Sequence, residues 1–353
     1  MYAEIISVTE NSAILAFSTG KAGFTVWKPD NLPEVRSIEA TDCGRLYLEN
    51  LLPDTEYTGV FEADGKSVRL SFRTLTAMKS EELDRIFMIA DPHISCRKEN
   101  RKGRFFVESA MLAEEALREA SRLRADAIVI PGDLTDSGSE DEYRLAAEVL
   151  KSARIPVYAI PGNHDKLAGG GWERFIGERT FRAELPGGVI LGIDTHDCML
   201  HPEDAARIEQ ELDRNGKLFI VSHYQLFESP DINHAKKFSL MNTGDYTELF
   251  ERLKASGSVI WCGHQNICSR VRYDRLEQVN FPQVPQWPCG SVLIQRCRGE
   301  NRYQFIPIQS EILRQWSRTA CRMAAEFYGE RQWQPEYRSG SYQRSNFIQY
   351  TGA

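Results

Sequence analysis

The apolar positions of this chain change rhythm once, near residue 80. Before that point apolar and polar residues alternate in short runs: Ser12-Ala13-Ile14-Leu15-Ala16-Phe17, Phe24-Thr25-Val26-Trp27 and Arg45-Leu46-Tyr47-Leu48. Clusters of Gly, Pro, Asn and Asp separate the runs, and a period of two with frequent turns predicts a small all-β sandwich over residues 1–76. From residue 84 the apolar runs become continuous. Arg85-Ile86-Phe87-Met88-Ile89-Ala90 reads as a strand buried on both faces, followed by Ala127-Ile128-Val129-Ile130 and Pro156-Val157-Tyr158-Ala159-Ile160. Helical spacing lies between them. It covers Phe105 to Leu123, with Phe106, Ala110, Ala113, Ala116 and Leu117 near one face, and recurs near Glu140 to Ser152. Later strands are expected over Gly188–Ile193, Leu218–Ser222, Val259–Cys262 and Ser291–Arg296. Alternating strands and helices predict an α/β layered domain over residues 84–300, with Leu75 to Glu82 as linker. The extension 301–353 holds one helical stretch, Ser310 to Phe327. Its stripe of Ile312, Trp316, Ala320, Met323 and Phe327 is expected to dock on the second domain.

Composition narrows the partners. At 353 residues the chain has room for two domains, and 42% hydrophobic with 26% charged residues is ordinary for a globular protein. A net charge of −7 disfavours nucleic acid, whose binding needs many cationic phosphate contacts. It leaves a small phosphate ester open, because a metal site supplies its own positive charge. No apolar run approaches the ~20 residues that span a bilayer, so no membrane partner is expected. The first residues alternate like a strand and lack the apolar core of a signal peptide, which suggests a cytoplasmic protein. The eight cysteines form no C-x-x-C pair and are expected as buried thiols.

Five short segments carry the chemistry, each right after an apolar run. They are Asp91-Pro92-His93, Gly132-Asp133-Leu134-Thr135-Asp136, Gly162-Asn163-His164-Asp165, Ser222-His223 and Gly263-His264-Gln265-Asn266. Phosphate esters resist attack because their anionic oxygens repel nucleophiles. Two cations about 3.5–4 Å apart neutralise that charge, activate a water and hold the leaving group in line. Such a pair needs a bridging carboxylate with imidazole and oxygen ligands on either side, placed at strand ends. Asp91 and His93, two apart in extended chain, lie on one side. Asp133 is the candidate bridge, and the Asn163 amide oxygen can ligate.

This series resembles the calcineurin-like metallophosphoesterases, whose pattern is D-x-H, G-D-x-x-D, G-N-H-D/E, a later His, and G-H-x-H. The resemblance implies a four-layer α/β/β/α sandwich with metals at its strand ends. Carried over, it places one metal on Asp91, His93 and Asp133, and the second on Asp133, Asn163, His223 and His264. It makes His164 the group that contacts the phosphate and protonates the leaving oxygen, with Asp165 oriented against it. The implied reaction is hydrolysis by a metal-activated hydroxide, with a phosphodiester favoured over a monoester. The alternative is a binding or scaffold protein that keeps the fold with one metal or none.

The chain departs from the pattern at Asn266, where the family has the last histidine of G-H-x-H. An amide oxygen is a neutral, harder ligand than imidazole, so Mn is expected, with Mg, Fe or Zn as alternatives. Leu52-Pro53-Asp54-Thr55-Glu56-Tyr57 resembles the tyrosine corner of fibronectin type III domains. A β-sandwich ahead of this domain also occurs in purple acid phosphatases. Their tyrosine ligand would fall at Asp136, so no iron–tyrosinate centre is expected. The basic loop of Arg97, Lys98, Arg101, Lys102 and Arg104 follows the first motif. Arg97 and Arg101 in it, together with His196, are candidates for substrate binding. His201 and His234 are expected at the surface, and Glu228 to Asn242 as a substrate-covering loop.

Overall fold

A computed structural model describes residues 2–18, 22–27, 33–34, 43–63, 65–165, 171–229 and 239–351. His234 and most of the Glu228–Asn242 stretch therefore lie outside the described residues.

The first seven strands form two facing sheets. One holds β1 (Tyr2–Val8), β2 (Ala13–Ser18) and β5 (Cys43–Leu48) in the order β1-β2-β5. The other holds β3 (Ala22–Trp27), β4 (Pro33–Glu34), β6 (Glu56–Ala63) and β7 (Lys66–Arg73) in the order β4-β3-β6-β7. Alternate residues of each sheet meet in one apolar core: Ile5, Val8, Leu15, Phe17, Leu46 and Leu48 against Tyr57, Phe61 and Phe72. The buried Tyr57 hydroxyl accepts a bond of 2.7 Å from the Leu52 amide, which fixes the corner before β6.

The rest of the chain builds two six-stranded sheets. In the first, β8 (Glu82–Met88), β9 (Ala127–Pro131) and β10 (Val157–Ile160) run parallel. Antiparallel β17 (Gly290–Cys297), β18 (Glu300–Pro307) and β19 (Phe347–Tyr350) extend it in the order β10-β9-β8-β17-β18-β19. The second sheet uses β11 (Phe181–Leu185), β12 (Gly188–Gly192), β13 (Phe219–Ser222), β14 (Val259–Cys262), β15 (Ser269–Tyr273) and β16 (Leu276–Asn280). Its order is β11-β12-β13-β14-β16-β15, with β12, β13, β14 and β16 parallel. The sheets pack face to face through Ile86, Met88, Val129, Val221, Trp261 and Ile294. Helices α1 (Ser109–Arg122) and α2 (Glu140–Leu150), with the short α3 (Gly171–Phe175), cover the outer face of the first sheet. Helices α4 (Pro202–Asn215) and α5 (Thr247–Ser256) cover the second. The result is the expected four-layer α/β/β/α sandwich behind a small β-sandwich. Strands buried on both faces explain why their sequences read as unbroken apolar runs. No helix among the described residues is long and apolar enough to cross a membrane.

The C-terminal helix α6 (Glu311–Tyr328) forms where expected but shows its other face to the protein. Glu311, Arg314, Ser317 and Cys321 are buried, whereas Ile312, Met323 and Phe327 are 69%, 64% and 82% exposed. The polar face docks because each group finds a partner. Arg314 donates to the Pro288 carbonyl at 2.9 Å, the Ser317 hydroxyl to the Gly103 carbonyl at 2.5 Å, and Arg45 pairs with Glu311 at 2.8 Å. Beyond α6, the short α7 (Pro335–Ser339) and β19 cross the α/β domain and tie it to the N-terminal sandwich. There Asn346 bonds Val8 and Ile6.

Candidate metal centre

Every candidate ligand follows the C-terminal end of a parallel strand. Asp91 and His93 follow β8, Asp133 follows β9, Asn163 follows β10, His223 follows β13 and His264 follows β14. The two sheets therefore deliver ligands to one edge of the sandwich, where the chain turns outward. Two overlapping groups result. His93, Asp133 and His164 have ligand atoms within 4.8 Å of one another, and so do Asp133, His223 and His264. Asp133 is common to both.

The backbone is strained at these positions. Asp91, His93, Asp133, His264 and Asn266 all adopt positive φ, between 44° and 59°. Each such residue costs of order 1–3 kcal/mol and persists where surrounding structure over-determines it. Glycines keep the approach open. A Cβ on Gly162 would stand 2.3 Å from Asp133 Oδ1, and one on Gly263 would stand 2.7 Å from Asp91 Oδ2.

The donor set suits cations. His223 Nδ1 lies 2.9 Å from the Pro131 carbonyl, which can only accept, so the proton sits on Nδ1. Burial lowers the His223 pKa and keeps the ring neutral. Its Nε2 lone pair then faces Asn163 Oδ1 at 3.0 Å and Asp133 Oδ1 at 3.4 Å. Three acceptors that converge without a proton between them are a donor set suited to a cation. His93 is fully buried and neither ring nitrogen has a hydrogen-bond partner, and the buried Asn266 Oδ1 has none either. Orphaned polar atoms of this kind are expensive unless something binds them. Burial, with Asp133 beside it, pushes the Asp91 carboxyl well above the usual range, as two unscreened carboxylates require. The Asp91 oxygens accept the His264 amide at 2.9 and 3.2 Å. The residues present therefore fit two divalent ions.

Around this centre the other candidates separate. His164 stands edge-on to His93, with ring centroids 4.7 Å apart, and is about one-third exposed. Its Nδ1 donates to the Asp136 backbone carbonyl at 2.6 Å, and Asp136 Oδ1 lies 3.8 Å away. The partner of the His164 ring is thus Asp136 rather than Asp165. Asp165 is fully buried. Its oxygens accept Gly162 N, Leu134 N, Thr135 N and the Thr135 hydroxyl at 2.7–3.0 Å. That set of bonds ties the second motif to the third and leaves Asp165 a positioning role.

Arg97 pairs with Asp136 at 2.5 Å and is half exposed, beside the mouth. Arg101 is not brought to the site. It is two-thirds exposed and is neutralised by Glu99 at 3.2 Å. Arg104 occupies the inner position that sequence spacing could not single out. It is largely buried, with Nη1 3.9 Å from Asp136 Oδ1, and both Arg97 and Arg104 lie over the Phe106 ring. His196 is held at the rim by Asp194, 2.8 Å from its Nδ1, with Arg179 at 3.1 Å.

A family model described as calcineurin-like phosphoesterase matches residues 84–287. The chain belongs to that family. A probable cyclic nucleotide phosphodiesterase of Fibrobacter succinogenes is 32% identical over 108 residues, covering 28% of this chain and 41% of that protein. The glycerophosphodiester phosphodiesterase GpdQ of Enterobacter lignolyticus is 35% identical over 82 residues, covering 23% and 29%. The chain thus spans less than half the length of these curated relatives. The crystal structure of a dimetal phosphatase from Danio rerio superposes with a TM-score of 0.52 at 12% identity, covering 65% of this chain and all of that one. At that identity the likeness is one of fold.

Proposed function

We propose that the protein is a dinuclear metal-dependent phosphodiesterase acting on a small phosphate ester. The observation that carries this reading is Asp133, a single carboxylate shared by two groups of potential ligands. In this reading Asp91, His93, Asp133 and Asn266 would hold one ion, with His164 beside it kept for proton transfer, and Asp133, Asn163, His223 and His264 would hold the other. Two divalent ions bound there would neutralise the ester's charge and activate water. Mn suits an oxygen-rich first site better than a softer metal.

The remaining steps belong to the chain. His164 gives its Nε2 proton to the departing oxygen while Nδ1–H stays on the Asp136 carbonyl, which fixes the ring's orientation. Asp165 keeps the second and third motifs in register. Arg97 and Arg104 meet anionic oxygens of the incoming substrate, and His196 is a further candidate contact. A diester is favoured because two relatives of this chain are named as phosphodiesterases. We read the N-terminal sandwich as fibronectin type III-like, on its three-plus-four strand arrangement and the Tyr57–Leu52 bond. No property of the site depends on that reading.

The test is to strip the protein with chelator, restore Mn and follow hydrolysis of bis(p-nitrophenyl) phosphate. Mn-dependent turnover that disappears in Asp133→Asn is expected. No turnover above that variant in any divalent metal would count against a diesterase, and metal counting would then separate a monoesterase or narrow-specificity enzyme from a metal-poor scaffold.

A further inference from the structure

The chain beyond residue 287 lies outside the family-matched region, yet it reaches the back of the metal loop. Arg338, on α7, is 5% exposed. Its Nη1 donates to the Asn266 carbonyl at 3.1 Å and lies 3.5 Å from the Trp287 carbonyl, and its Nε donates to the Gln332 carbonyl at 3.0 Å. Its own carbonyl accepts the Cys268 amide at 3.1 Å. Arg338 of α7 thus holds the segment 266–268 both as donor and as acceptor. Among the described residues no carboxylate pairs with this guanidinium. Burying a guanidinium without a counter-ion makes its placement costly. A cost of that kind is retained where the geometry it enforces is needed.

The geometry in question is that of Asn266. This residue sits at φ 57°, in the left-handed region that asparagine enters more readily than most side chains. Its Nδ2 donates to the His264 carbonyl at 3.0 Å, and its Oδ1 is buried without a partner. The Asn266 carbonyl points to Arg338 and its amide nitrogen to His264, so the one uncommitted atom is the oxygen. We propose that Arg338 is a positioning residue that holds the Asn266 loop so that the amide oxygen is presented as a ligand of the first metal ion. The inference rests on the reading of Asn266 as a ligand. It also accounts for the asparagine. An amide is a weaker ligand than imidazole, and an external brace that prepays its ordering offsets that weakness.

The experiment measures Mn binding by calorimetry and metal analysis in the full chain, for the native protein, Arg338→Met, Arg338→Lys, Asn266→Ala and the double variant. The native protein is expected to bind two Mn ions. Arg338→Met should weaken one of them about 10–100-fold, as loss of a supporting contact does, and leave the other unchanged. Arg338→Lys, which keeps one donor, should recover part of that loss. In the Asn266→Ala background, Arg338→Met should add nothing. Native affinity for both ions in Arg338→Met would overturn the proposal. So would equal weakening of both sites with a fall in melting temperature of the metal-free protein, since that marks a merely structural role. A native protein in which Asn266→Ala leaves both affinities unchanged removes Asn266 as a ligand. That result fails the underlying reading separately from the role of Arg338.

Discussion

His223 Nε2 lies 3.0 Å from Asn163 Oδ1, while its Nδ1 proton is committed to the Pro131 carbonyl. Two lone-pair atoms face each other across a gap that a cation would fill. Removing either should empty that site alone. Asn163→Ala or His223→Ala is expected to lower Mn content from two ions to about one per chain after gel filtration, and to abolish turnover. Two retained ions in both variants would contradict the assignment.

His164 and Asp165 are neighbours in sequence with different duties, and their variants should separate cleanly. His164→Ala should lower kcat by ~10²–10⁴ with Mn content and melting temperature unchanged. The loss should be larger for a methyl ester than for a nitrophenyl ester, whose leaving group needs little help. Asp165→Asn replaces an acceptor with a donor facing backbone N–H groups. It should cost roughly 1–3 kcal/mol of stability, measured by denaturant unfolding.

Arg97 and Arg101 provide a matched pair of charge removals on one loop. Arg97→Ala should raise KM several-fold with a smaller effect on kcat, because Arg97 lies beside Asp136 at the mouth. Arg101→Ala should leave both constants unchanged, since Glu99 already neutralises that side chain at the surface.

Lys217 offers a test of pH dependence away from the metals. Burial, helped by Arg296 and Arg275, lowers its pKa to about 8 from 10.5. Its charge therefore costs the folded state most below pH 8. The penalty is relieved as pH rises from about 8 toward 10.5, where the unfolded chain still binds the proton. Lys217→Met should stabilise the protein by about 1–2 kcal/mol at pH 7, after discounting for partial exposure. That advantage should shrink across the same window. An advantage independent of pH would mean that packing, not charge, accounts for it.

How far the sequence reaches depends on where each partner comes from. The candidate ligand positions stood out because a strand buried on both faces is an unbroken apolar run, and Asp91, Asp133, Asn163, His223 and His264 all follow one. The inward face of α6 was not legible, since Glu311, Arg314 and Ser317 are satisfied by Arg45, Pro288 and Gly103, far away in sequence. Periodicity alone assigned the stripe of Ile312 and Phe327 to the interior. The choice between Asp136 and Asp165 as partner of His164 turns on backbone bonds that spacing does not encode, although both residues stood in recognised motifs. Arg104 differs from Arg101 only through the turn that joins them, where their backbones exchange hydrogen bonds.

The central claim is that one carboxylate, Asp133, joins two metal ions in a working site. The most direct measurement is electron paramagnetic resonance of the Mn-loaded protein, with metal counting and bis(p-nitrophenyl) phosphate turnover on the same samples. The account predicts two exchange-coupled Mn ions per chain in the native protein, and loss of coupling and turnover together in Asp133→Asn. Full turnover from a single, uncoupled Mn ion would contradict it.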